Sequence, residues 1–237
     1  LGQEHEYSAF NQELIERYVC LGELAEDSSD PGLGDGQGRF ADITKSADLY
    51  LHQPELPTRL CLRDTPGVND TFMVREQMTI RAIRDSRLCV VVLSAHQALS
   101  SVDMALIRMI TNIKTREIII FVNRIDELPD PANQISEIRN SITQTLQAHN
   151  GPKNPAIVFG SAAWANLALK NGAELVLSPL QTSLLLRADL ANTGPRNQLW
   201  HLSGIPALFD ALSRRIVESS AQELLQSTAQ RALNLAN

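Results

Sequence analysis

Basic residues are in short supply. Lys and Arg total 21 against 27 Asp and Glu, a formal net charge of −6 over 237 residues, and the basic positions form only short clusters. A broad nucleic-acid face needs clustered cations to displace phosphate counterions, so no nucleic-acid partner is expected. Cysteine is scarcer. Cys20, Cys61 and Cys89 are the complete set, an odd number without CxxC or Cys/His spacing, which argues against a disulfide framework or a zinc site and fits a reducing, cytoplasmic setting. No apolar run approaches the ~18 residues that span a bilayer, and the longest, around Val90 and Ile118, are of strand length. The chain opens at Leu1 without the basic and apolar regions of a secretory signal. It reads as a trimmed piece.

What is present is a hydrophobic content of 43%, enough for a substantial core. Residues 11–25 place Leu14, Ile15, Tyr18 and Leu24 near helical spacing behind Asn11 as N-cap. An acidic, Gly-rich stretch from Glu26 to Gly38 has the composition of a loop. Two strand-like runs, Ala47–Gln53 and Arg59–Arg63, flank Pro54–Pro57 and predict a hairpin or an adjacent strand pair, the second run ending at Asp64. Beyond it the pattern alternates. It predicts a helix near 73–85, a strand Leu88–Leu93, a helix near 102–114, a strand Glu117–Val122, a helix near 134–148 and a strand Ala156–Phe159. Buried strands interleaved with helices define an α/β fold, a doubly wound and mostly parallel sheet whose ligands bind beyond the carboxyl ends of the strands. Residues 166–203 are less regular and read as an insertion or a short helical pair. From Ile205, after the start signal Ser203-Gly204-Ile205-Pro206, the positions Leu208, Leu212, Ile216, Leu224 and Leu225 predict a long C-terminal helix with one apolar face.

Three short strings fall at strand ends. Asp64-Thr65-Pro66-Gly67 is a DxxG box: the carboxylate can hold a Mg²⁺ shell and the Gly67 amide can approach a terminal phosphate, although Asp, Pro and Gly also make ordinary turns. Asn123-Arg124-Ile125-Asp126 has the spacing of an NKxD box with Arg for Lys. Asp126 can accept both hydrogen bonds that guanine N1–H and its 2-amino group offer, Asn123 can tie neighbouring loops, and the flat Arg124 guanidinium can stack on a base. A solvated loop after a strand is the plainer alternative. Ser161-Ala162, after the strand Ala156–Phe159, can present backbone N–H groups to the guanine carbonyl oxygen. That string is weak alone, and the order of the three boxes gives it force.

Together with DTPGVND (64–70), the runs VVVLSAHQALSSVD (90–103), FVNRIDELPD (121–130), FGSAAWAN (159–166) and LSGIPAL (202–208) resemble the GTPase domain of dynamin-like proteins, especially bacterial ones, over about residues 36–215. The resemblance implies a sheet of the P-loop GTPase type, with GTP and Mg²⁺ bound and GTP hydrolysed. Its implied site is Asp64 for the metal shell, Gly67 for the γ-phosphate, Asn123, Arg124 and Asp126 for the base, and Ser161 with Ala162 for the base carbonyl. It further implies self-association through the GTPase face, membrane remodelling through other parts of a parent protein, and a peripheral place at the inner face of a membrane. On this reading residues 1–203 are a partial GTPase domain, with a nucleotide-binding core at 36–165 and an insertion at 166–203, and 204–237 lead toward a neck or stalk.

One departure stands out. The GxxxxGK(S/T) string, whose amides and Lys cradle phosphates, does not occur in the 237 residues. The Gly-rich segment Gly32–Gly38 lacks the following Lys and hydroxyl residue, and Thr44 is the nearest candidate for a switch threonine. The expectation is therefore a domain incomplete at its N-terminus and inactive alone. A pseudo-GTPase scaffold and a small-molecule enzyme on a Rossmann-like sheet remain as alternatives. The five histidines show no ligand spacing, the series Arg75, Arg81, Arg84 and Arg87 reads as a solvated helix face, and Trp164 reads as packing rather than as a nucleotide contact.

Overall fold

Alternating apolar runs and helix formers build two separate sheets in the computed structural model, which describes residues 4–8, 14, 46–51, 60–65, 80–97, 99–112, 117–169 and 195–236. The chain divides into two compact units, Leu1–Ala82 and Ile83–Asn237. The expected helix at 11–25, the Gly-rich segment, Thr44, Pro54–Pro57, Gly67 and Arg75 lie outside the described residues, apart from Leu14.

In the first unit β1 (Ala47–Leu51) and β2 (Leu60–Asp64) pair antiparallel, in register from Ala47 opposite Asp64 to Leu51 opposite Leu60. The predicted strand pair forms. Arg63 faces Asp48 across it and grips the carboxylate with two bonds of 2.7 Å, a two-pronged pair that holds the register.

The second unit is built on a parallel sheet of β3 (Leu88–Ser94), β4 (Glu117–Asn123) and β5 (Ala156–Phe159), in that order. All three described strands of this sheet run parallel, as the mostly parallel sheet expected from the sequence requires. The central strand β4 carries EIIIFVN, and Ile118 to Val122 are all buried because both faces are covered. Strand β3, read from its sequence as buried throughout, instead alternates: Val91 and Leu93 point into the core while Val92 is 60% exposed.

Helix α1 (Ser101–Asn112) sends Met104, Ile107 and Ile110 into the core. It starts where it does because Ser100 and Asp103 cap each other, the Asp103 amide donating to Ser100 Oγ and the Ser100 amide to the Asp103 carboxylate. Helix α2 (Pro131–Ala148) begins ahead of the expected 134, with Pro at its first position, where the missing N–H costs nothing. Helix α3 (Ala162–Leu169) runs across the boundary expected at 165/166, and α4 (Pro195–Leu202) precedes α5 (Ile205–Ala236). Along the start of α5, Leu212 is buried while Phe209 and Val217 are exposed. Arg215, further on, reaches Glu117 at 3.1 Å and the Asn154 carbonyl at 3.0 Å, which fixes α5 near the amino-terminal end of β4.

Candidate functional site

The parallel register sets Ser94 beside Asn123 and Val122 beside Phe159, so three strands end at one edge. At that edge β4 stops abruptly. Arg124 takes a left-handed backbone, φ 71°, ψ 32°, which turns the chain out of the sheet into a tight 3-10 turn, Ile125–Glu127. A non-glycine residue tolerates that conformation only where its neighbours hold it. Here Ile125 is buried and its amide donates to the Gly160 carbonyl at 3.3 Å. The turn presents Asp126 half-buried, and no hydrogen bond from the described residues reaches its carboxylate.

Asn123 does what its residue type suggested: its Oδ1 accepts the Ala162 amide at 3.0 Å and joins the β4 and β5 loops. Arg124 donates from Nε to Glu127 at 2.7 Å, and Glu127 also meets His96 Nε2 at 2.9 Å. The Arg124 hydrogen bond holds the Glu127 carboxyl below its ordinary range, with His96 adding to the effect, and the same pairing raises Arg124. Sequence reasoning assigned no role to Glu127 or His96. The three-residue spacing of Arg124 and Glu127 was a usable signal; His96, far off in the chain, offered none.

The loop after β5 is held by its own amides. Its Ser161 and Ala162 amides were expected to face a guanine carbonyl oxygen, but Ser161 N–H donates to the Ser203 carbonyl at 2.8 Å and Ala162 N–H is held by Asn123. A bonded amide serves a new acceptor only by giving up the old one. Ser161 instead caps α3, its Oγ accepting the Trp164 amide at 3.0 Å. The next amide along, that of exposed Ala163, has no acceptor among the described residues. Trp164 is packed in the core.

Asp64 closes β2 in the first unit. Partial desolvation pushes its carboxyl up, and the Thr65 amide pulls it part of the way back. A single carboxylate fits Mg²⁺, which keeps several waters and takes phosphate oxygens rather than a full protein cage, and when bound the ion neutralises developing phosphate charge. Among the described residues no cluster of His, Cys, Asp and Glu competes for such an ion.

A parallel α/β sheet with a half-buried carboxylate and a tied Asn at its carboxyl edge is the architecture of a nucleotide-binding domain of the P-loop GTPase class. The family model of the elongation factor Tu GTP binding domain matches residues 45–218, and the chain belongs to that family. Among solved structures it is similar to Era in complex with MgGDPNP and nucleotides 1506–1542 of 16S ribosomal RNA, at 17% identity and a TM-score of 0.42, with 61% of this chain and 52% of that chain covered. The chain thus spans about half the length of that structure. No curated protein matches it significantly.

Proposed function

We propose that residues 117–163 read the guanine base of GTP and GDP, with Asp126 accepting from the base N1–H and 2-amino group and the Ala163 amide donating to the base carbonyl. The observation that carries this reading is the half-buried Asp126 carboxylate, held at the sheet edge by a buried Ile125 and supplied with no hydrogen bond by the described residues. A partly desolvated carboxylate without a donor is completed by a ligand that brings two. Adenine cannot, which makes the site selective. Asn123 fixes the distance between the two loops, and Arg124, its Nε on Glu127, keeps a flat face for the base.

On this reading Asp64 would hold the Mg²⁺ shell and Gly67 would face the γ-phosphate; a positioned water attacks the γ-phosphorus in line as its bond to the β-phosphate oxygen breaks, releasing phosphate and GDP, so that the protein contributes placement and electrostatics. The parent protein on this proposal is dynamin-like, coupling hydrolysis to self-association and membrane remodelling. The ordered runs from DTPGVND to LSGIPAL support that finer reading, and the family match supports the GTP-binding part.

Calorimetry with GDP and ADP tests it. Binding is expected for GDP over ADP, and Asp126→Ala is expected to weaken GDP about 100-fold, the value of two charge-assisted hydrogen bonds at roughly 1.5 kcal/mol each. Equal affinity for the two nucleotides, or an Asp126→Ala variant that binds as the parent does, would leave a scaffold on a GTPase fold.

A further inference from the structure

The loop that follows β5 is held from two sides. On one side it is joined to the β4 loop: Gly160 N–H donates to the Val122 carbonyl at 2.9 Å, the Gly160 carbonyl accepts from Ile125, and Ala162 N–H donates to Asn123. On the other it meets the chain just ahead of α5. There the Ser161 amide donates to the Ser203 carbonyl at 2.8 Å, and Ser161 and Ser203 are both 0% exposed.

Two glycines make this second contact possible. A Cβ on Gly160 would stand 2.2 Å from the Ser203 carbonyl oxygen, and a Cβ on Gly204 would stand 2.1 Å from the Phe159 carbonyl oxygen and 2.9 Å from the Gly160 Cα. These neighbours are backbone atoms, which have no side-chain rotamer through which to yield. Gly204 also needs its φ of +71°, a region that side chains seldom enter. Ser203 secures the turn from within, its Oγ donating to the Trp200 carbonyl and accepting from the Ile205 amide. From there α5 runs as one continuous helix through Arg215, which is tied to Glu117 and Asn154.

We infer that Ser203 and Gly204 are positioning residues for guanine recognition: the Ser203-Gly204 turn sets the height of the Gly160–Ala163 loop, and through Asn123 the separation of that loop from Asp126. The start of α5 is then part of the base site's frame, and a shift of that helix start changes selectivity for guanine. By linkage, an occupied base site steadies the helix start to the same degree. The inference rests on the guanine-binding reading above.

The test compares the GDP-to-ADP affinity ratio of the wild type, of Gly204→Ala and of Leu212→Ala, the last removing a buried α5 side chain away from the joint. Leu212→Ala is expected to lower Tm while keeping the ratio. Gly204→Ala is expected to lower the ratio at least about tenfold, and Gly204→Asn, which tolerates the backbone angle but still adds a Cβ, is expected to do the same. A folded Gly204→Ala protein with the wild-type ratio overturns the inference while leaving guanine recognition intact; a wild type with no guanine preference overturns both. Should the variants fail to fold, hydrogen exchange on the wild type decides. GDP is expected to slow exchange at the Ser161 and Leu208 amides, which donate to Ser203 and Gly204, and unchanged exchange there on saturation with GDP overturns the inference.

Discussion

On the proposed function, Asp64 and Asp126 are the same residue type assigned to different tasks. Around Asp64 desolvation is the larger influence, so its carboxyl ionises above the ordinary carboxylate range. Its folded value lies above its unfolded one, so its contribution favours the fold at low pH and declines as pH rises between the two values. Mg²⁺ needs the ionised form. Mg²⁺-supported nucleotide binding is therefore expected to weaken as pH falls through the raised value. Asp64→Asn is expected to remove that pH dependence and the Mg²⁺ requirement together, with a Tm at neutral pH no lower than that of the parent. A titration of GDP binding against pH with and without Mg²⁺, beside thermal melts, checks both. Glu127 is the opposite case, lowered by Arg124, and the Arg124 pair it forms is present above the ordinary Glu range and lost as pH falls through the lowered value.

Among the elements, β4 supplies the rigidity that the site requires. Ile120 is fully buried at its centre, whereas Val92 on β3 is largely exposed. Ile120→Ala is expected to cost about 2–5 kcal/mol through lost transfer energy and a residual cavity, and Val92→Ala less than about 0.5 kcal/mol; urea unfolding of the two variants measures the contrast. The strands were legible in the sequence because runs such as EIIIFVN contain little except strand formers. The burial of β3 was not, because a run of Val and Leu reads alike whether one face or two are covered. The bond by which Asn123 ties the two loops was legible from its place after a strand. The engagement of the Ser161 amide by Ser203 was hidden because it joins segments far apart in sequence through backbone atoms, which carry no residue signature. Gly204 was visible only as part of a helix start, and its close approach to Phe159 emerges only in three dimensions.

At the scale of the whole molecule, the family match over 45–218 takes in residues of both compact units. If the dynamin-like reading of the parent holds, self-association is expected to depend on guanine nucleotide: sedimentation with a slowly hydrolysed GTP analogue should shift the protein to larger species, and ATP should not. That dependence presupposes base selectivity, on which the account stands or falls. The most direct measurement is nucleotide exchange of preference at Asp126. An Asn there offers an amide hydrogen to the 2-carbonyl of xanthine, where the carboxylate accepts from the 2-amino group of guanine. Calorimetry of Asp126→Asn with xanthosine and guanosine diphosphates is predicted to show xanthosine diphosphate bound more tightly, reversing the order of the parent protein. An Asp126→Asn variant that keeps the parent's preference for guanosine diphosphate would contradict the account.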